Sequence, residues 1–230
     1  MPAKYRWFNV CVAVGGVLLV SGCEQKRFET LPPIPAEQLE VLGVQAPIKS
    51  VHFRDQQGEG LLILSRVDGQ ATDAETEQEV DRVVLKATLY GRSGESAFTP
   101  RWKIEQETTC AGLDLDVDFY TDVSDVTDLD QNGIAEVTVA SHAFCGGGID
   151  PQDITIELRE GQSVYSLTGQ SLISPAGEEP FGGERDESAS YKSAPKAVRE
   201  HLDSVWQQVY KRPWSEVSTP SDADPEDDPQ

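Results

Sequence analysis

The stretch 126–140 constrains this chain more than any other. It sets Asp128, Asp130 and Asn132 on alternate residues, follows them with Gly133, and puts Glu136 at the head of the apolar run Val137 to Ala140. Asp128, Asp130, Asn132, the carbonyl of Ile134 and Glu136 take the first, third, fifth, seventh and ninth places of an oxygen-rich loop. Calcium accepts hard oxygen ligands of this kind in flexible geometry, whereas magnesium more often keeps its waters and uses fewer protein groups. A competing reading needs no ion. Asn132-Gly133 between two alternating segments is a hairpin signal by itself.

The segments around it alternate with period two, as half-buried strands do. In 80–90, Val83, Leu85, Ala87 and Leu89 share one face. In 101–109, Trp102 and Ile104 point inward between Arg101, Lys103 and Glu105. In 113–120, Leu113, Leu115, Val117 and Phe119 oppose Asp114, Asp116 and Asp118. Those three aspartates form either a cation ladder or a solvated outer face neutralised by Lys103 or Arg101. The second needs no further cause. Residues 50–53 and 61–66 are shorter strands around an Asp55–Gly60 connector laid out like the central loop, which suggests a degenerate repeat. Residues 153–160 and 163–169 form a hairpin, while 68–81 and 172–187 are expected to be loops.

One helix is expected over 193–210, capped by Ser193, with Pro195 in its first turn. Val198, Leu202, Val205, Trp206 and Val209 mark its packing face. The expected fold is therefore mainly β: an antiparallel sheet, a sandwich or propeller-like repeats, with one C-terminal amphipathic helix. A single domain is expected over 48–212, preceded by a proline-punctuated tether over 23–47. Residues 215–230 hold six acidic groups, three prolines and no basic residue, which predicts a disordered tail over 213–230.

The N-terminus reads as an export signal. Lys4 and Arg6 precede an apolar run from Trp7 to Val20, too short to be a convincing membrane span. Export implies an oxidising compartment, and Cys110 and Cys145 remain as an even pair once Cys11 and Cys23 are set aside. A disulfide between them is expected. The alternative is a metal site of Cys110, His142 and Cys145, although no tight pair of cysteines supports it. The formal net charge is −21, and removal of 1–22 would take away only basic groups. Such a surface repels phosphate backbones and anionic headgroups, which argues against nucleic acid as a partner.

Val20-Ser21-Gly22-Cys23 resembles the lipobox of bacterial lipoproteins. That resemblance implies cleavage after Gly22, acylation of the Cys23 thiol and attachment to membrane through its acyl chains. Glu24 follows where lipoproteins retained at the inner membrane carry aspartate, which leans toward the outer membrane in a Gram-negative cell. The central loop is not an EF-hand, because its twelfth place is Val139 and a strand follows. It looks more like the Asp-x-Asp-x-Asn-Gly turns of β-propeller and integrin-like repeats. The order of Trp102-Lys103-Ile104, Cys110, Thr127 to Thr138, Cys145 and the later hairpin resembles proteins labelled "surface polysaccharide biosynthesis protein". It covers about 100–175 and implies a cell-envelope role without a defined reaction.

Two functions follow. One is a non-catalytic envelope lipoprotein that binds or assembles with an envelope protein or glycan. The other is a hydrolase using paired carboxylates on an envelope glycan. His52, His142 and His201 are scattered, and neither a nucleophile elbow nor a zinc-binding helix motif occurs.

Overall fold

The computed structural model describes residues 28–44 and 46–212. The expected signal segment 1–22, the lipidated Cys23 and the acidic tail 213–230 lie outside the described residues. The first sheet is an antiparallel meander of β1 (Glu29–Thr30), β2 (Lys49–Asp55), β3 (Gly58–Thr72), β4 (Glu79–Arg92) and β5 (Thr99–Cys110), in that spatial order. The chain then enters a second antiparallel sheet through β6 (Asp114–Phe119), β7 (Val126–Thr127), β8 (Glu136–Gly146), β9 (Asp153–Glu160) and β10 (Ser163–Gln170). A small pair, β11 (Leu172–Ile173) and β12 (Phe181–Gly182), stands apart, and β13 (Arg185–Glu187) closes the edge next to β10. The first half of β8 pairs with β7 and the second half with β6. Both large sheets remain open.

The two sheets pack face to face. Leu62, Leu64, Val83, Leu85, Ala87 and Leu89 of the first meet Val117, Phe119, Val126, Val137 and Val139 of the second. The alternate side chains of β3, Leu61 and Ile63, pack on Ile34 and Leu39 beside the short helix α1 (Ala36–Val41). Burial on both faces explains why Leu61 to Leu64 reads as an unbroken apolar run. The outer face of the second sheet carries α2 (Ala189–Ser193) and α3 (Lys196–Val209). Val198, Leu202, Val205, Trp206 and Val209 of α3 pack against Ile154, Ile156, Leu158 and Leu167. The Cys110–Cys145 disulfide spans 5.4 Å between Cα atoms and ties the last residue of β5 to β8, so it staples one sheet to the other.

Four expectations need correction. The tether does not run to 47: β1 pairs with β2, the Leu31 N–H donates to the His52 carbonyl at 2.8 Å, and Ile34 and Leu39 are buried. Its prolines suit this role, since Pro35 opens α1 where no N–H is needed. Residues 68–81 are not a loop. β3 and β4 stay paired from Asp68↔Val83 to Thr72↔Glu79, leaving a short turn where Asp73 accepts the Glu75 and Thr76 N–H groups. Residues 67–70 are exposed, beyond the cover of the second sheet, so nothing imposes an apolar alternation on them. The expected loop 172–187 contains β11, β12 and β13. The helix over 193–210 is two helices. Proline disfavours helical geometry in the residue before it, and Ala194 is extended at ψ 152°. Ser193 therefore ends α2, and the cap is Ser188, whose hydroxyl accepts the Tyr191 N–H at 3.0 Å.

Candidate cation-binding loop

The loop 128–135 connects β7 to β8, with Val126↔Val137 and Thr127↔Glu136 as its closing pairs. A two-residue Asn-Gly turn would require positive φ at both residues. Here the positive φ values fall on Gln131 (60°) and Gly133 (80°), so the loop is wider than that turn. Its polar groups wrap inward. Both Asp128 oxygens accept the Gly133 N–H, at 3.2 and 3.1 Å. Asp130 accepts the Asn132 N–H and side-chain amide, each at 3.0 Å, and the Asn132 side-chain Oδ1 accepts the Ile134 N–H at 2.7 Å. These short-range bonds follow from Asx residues placed two apart, each able to bond the backbone two residues on.

The structure gathers three of the five expected ligands. Asp128, Asp130 and Glu136 each present an oxygen within 4.8 Å of the others. Oxygens on opposite sides of a bound calcium lie about 4.8 Å apart, at roughly 2.4 Å each from the ion. Asn132 sits half-buried beside them, but its amide N–H groups are turned to Asp130 and to Glu160 at 2.7 Å. Ile134 is half-buried at the loop's end.

Glu136 is the unusual member. It is fully buried. Its Oε2 accepts the Leu129 N–H at 2.7 Å, while Oε1 has no partner among the described residues. Thr127, its cross-strand neighbour, also has a buried hydroxyl without a partner among the described residues. Burial pushes the Glu136 carboxyl up to about 7, opposed by the Leu129 N–H and reinforced by the charges of Asp130 and Glu160. Glu160 stands directly opposite Glu136 on β9. A buried carboxylate facing two others is costly unless something positive compensates it. A divalent cation among Asp128, Asp130 and Glu136 would offset the mutual repulsion and the cost of burying Glu136 as a carboxylate. Buried as it is, Glu136 offers nothing to a substrate in solvent.

The loop is also docked onto the first sheet. Gln56, in the β2–β3 turn, donates its N–H to the Gly133 carbonyl at 2.8 Å and its side-chain amide to the Asn132 carbonyl at 2.6 Å. Asp55, itself buried, accepts the Ala135 N–H at 3.1 Å and the Gln57 N–H at 2.8 Å. Asp55, Gln56 and Glu160 are absent from the expected site. The similar layout of 55–60 and the central loop is the only sequence signal that pairs the first two with it.

Other expected groups find ordinary partners. Asp116 bonds His142 at 3.2 Å and Gln152 at 2.7 Å, and the His142 bond holds its carboxyl below the usual range. Asp118 faces Arg66 at 3.4 Å. The partners are thus Arg66 as a counter-charge for Asp118 and His142 and Gln152 as hydrogen-bond partners of Asp116, not Lys103 or Arg101. The disulfide removes Cys110 and Cys145 as metal ligands and so excludes the Cys110–His142–Cys145 alternative. His201 bonds the Thr138 hydroxyl at 2.9 Å. Comparison with family models, curated proteins and solved structures finds no match to this chain.

Proposed function

We propose that this chain is a lipid-anchored, non-catalytic module of a bacterial cell envelope, whose central loop holds calcium as a structural ion. The anchor rests on Val20-Ser21-Gly22-Cys23, with Cys23 acylated, and Glu24 favours the outer membrane of a Gram-negative cell. The partner is an envelope protein or glycan, consistent with the resemblance of 100–175 to surface polysaccharide proteins. The observation that carries the ion is the buried carboxylate of Glu136: its Oε1 has no partner among the described residues, and the carboxylate offers an oxygen within 4.8 Å of oxygens of Asp128 and Asp130. The hydrolase reading has less behind it. The Glu136 carboxyl, with its raised pKa, is sealed from solvent, and the one carboxylate that lines the adjacent cavity among the described residues, Asp55, is bonded through both oxygens to backbone N–H groups.

Calorimetry of the full chain in detergent, in chelator and then in calcium, tests the ion. Calcium at about a hundredfold over its Kd adds roughly 2.7 kcal/mol to stability. Glu136→Gln is expected to abolish that gain. It should not lower the melting temperature in chelator, because it removes a desolvated charge and keeps an acceptor for Leu129. No heat and no melting shift at millimolar calcium would remove the ion from the proposal. Labelled palmitate incorporated into the wild-type chain but not into Cys23→Ala checks the anchor.

A further inference from the structure

A cavity of about 360 Å³ lies between the two sheets beside the central loop, bounded by Phe53 and Asp55 on one side and Arg159 and Gln162 on the other. Its volume falls in the range of small-molecule sites. Two cations converge on it in a chain of net charge −21. Arg159 is occupied: it pairs with Glu157 and lies 4.8 Å from the centre of the Trp102 ring. Arg101 is not. It donates to the Gln57 side-chain oxygen and the Gln57 carbonyl, each at 3.2 Å, and to no carboxylate among the described residues. A guanidinium carries five N–H donors, so its fork keeps donors to spare.

The backbone is built to put Arg101 there. Leu89 pairs with Trp102 but Tyr90 pairs with Pro100, so Arg101 is the extra residue of a β-bulge. Bulges re-aim a side chain. The guanidinium then lies over Gly91, where an added Cβ would sit 1.9 Å from Nε. A bulge, a glycine and a carbonyl thus hold one unpaired cation at the mouth of a cavity with an apolar floor of Leu89 and Val137. Among the described residues the only carboxylate lining the cavity is Asp55, already bonded to two backbone N–H groups.

We propose that this cavity binds a carboxylate-bearing sugar ring, a uronic-acid unit of an acidic glycan. Arg101 takes the carboxylate through its fork, Gln57 and Gln162 supply amides for the ring hydroxyls, and Leu89 and Val137 meet its apolar C–H face. The proposal rests on the binding-module reading and deepens it, and it is independent of the ion and of the acyl anchor.

The test is titration of the full chain in detergent with galacturonic acid, galactose, acetate and a short peptide with a free C-terminus, followed by calorimetry and tryptophan fluorescence. Saturable binding of galacturonic acid is expected, with galactose roughly tenfold weaker or more, the worth of a charge-assisted hydrogen bond. Arg101→Ala is expected to lose a similar factor with an unchanged melting temperature. Gly91→Ala, which displaces the guanidinium without removing it, should weaken binding in the same direction. Equal binding of galactose would overturn the acidic-ligand assignment while leaving a sugar-binding module standing. Preference for the peptide or for acetate would overturn the sugar, and Arg101→Ala binding as wild type would overturn the site. Binding of none of the four would overturn the proposal and leave the module reading to be decided by capture from native envelopes.

Discussion

Glu59 shows how a single residue sets a pH limit on this fold. It accepts from Arg54 at 2.7 Å, from Arg92 at 2.8 and 2.5 Å, and lies 3.4 Å from His52. The Arg54 bond, with Arg92 and His52 behind it and burial opposing, lowers its carboxyl from 4.5 to about 2. The folded value lies below the unfolded one, so the stabilisation is complete above the unfolded pKa and is lost as pH falls toward the folded one. A shift of this size has a ceiling of about 3 kcal/mol, part of which solvent around Arg54 screens away. Glu59→Gln should therefore be less stable than wild type at about pH 6, and the gap should close by about pH 2. Urea unfolding of both proteins across that window measures it, and a gap that does not change would assign Glu59 no titrating role. None of this was legible in the sequence. Arg54 and Glu59 are near neighbours in the chain, but Arg92 and His52 reach Glu59 only through the register of β2, β3 and β4. Asp128, Asp130 and Glu136 were legible for the opposite reason: their approach is set by spacing inside one short loop.

At the scale of elements, the β7–β8 connection depends on where the backbone can turn left-handed. Gly133, at φ 80°, packs against Gln56, and an added Cβ would meet the Gln56 amide nitrogen at 2.4 Å. Gly133→Ala should cost about 1–2 kcal/mol from backbone conformation alone, and more as Gln56 is pushed off the loop. Gln131, at φ 60° and exposed, carries a similar strain without the packing. Gln131→Gly should be neutral to stabilising by up to about 1 kcal/mol. Denaturant midpoints of the two variants decide it, and the same sign for both would contradict the assignment. The elements that alternate cleanly, β4, β5 and β9, were readable because one face of each meets a core. The exposed ends of β3 and β4 were not, because strand pairing there is enforced by the neighbour and leaves no apolar pattern. The sequence places Pro195 in a first turn, whereas the chain breaks there: the periodic stripe begins only at Val198, and before it Tyr191 is buried on α2 and Ala194 is buried as the extended residue that follows α2.

At the scale of the whole molecule, the two sheets share one core but are joined in sequence only by the short passage from β5 to β6. The disulfide reinforces that corner. It joins positions 35 apart, and the segment it closes contains β6, β7 and the entire central loop. On the chain-entropy account, closing a loop of that length stabilises the fold by about 4 kcal/mol. The pairing was legible from cysteine count and export signal, but its role as a staple between sheets was not, since nothing local says that β5 and β8 lie in different layers. Replacing both cysteines with serine should lower stability by about 2–4 kcal/mol and leave a single cooperative transition, because the shared core of Leu62, Leu85, Val117 and Val137 still couples the sheets. On the calcium proposal, the ion should raise the midpoint of the double variant and of the wild type alike, since Asp128, Asp130 and Glu136 are brought together by the β7–β8 pairing and by Asp55 and Gln56, not by the sulfurs. Two separate transitions would instead mean that the disulfide, not the core, makes the sheets one folding unit. A midpoint that calcium no longer moves would mean that the loop's geometry is held from the corner at Cys110.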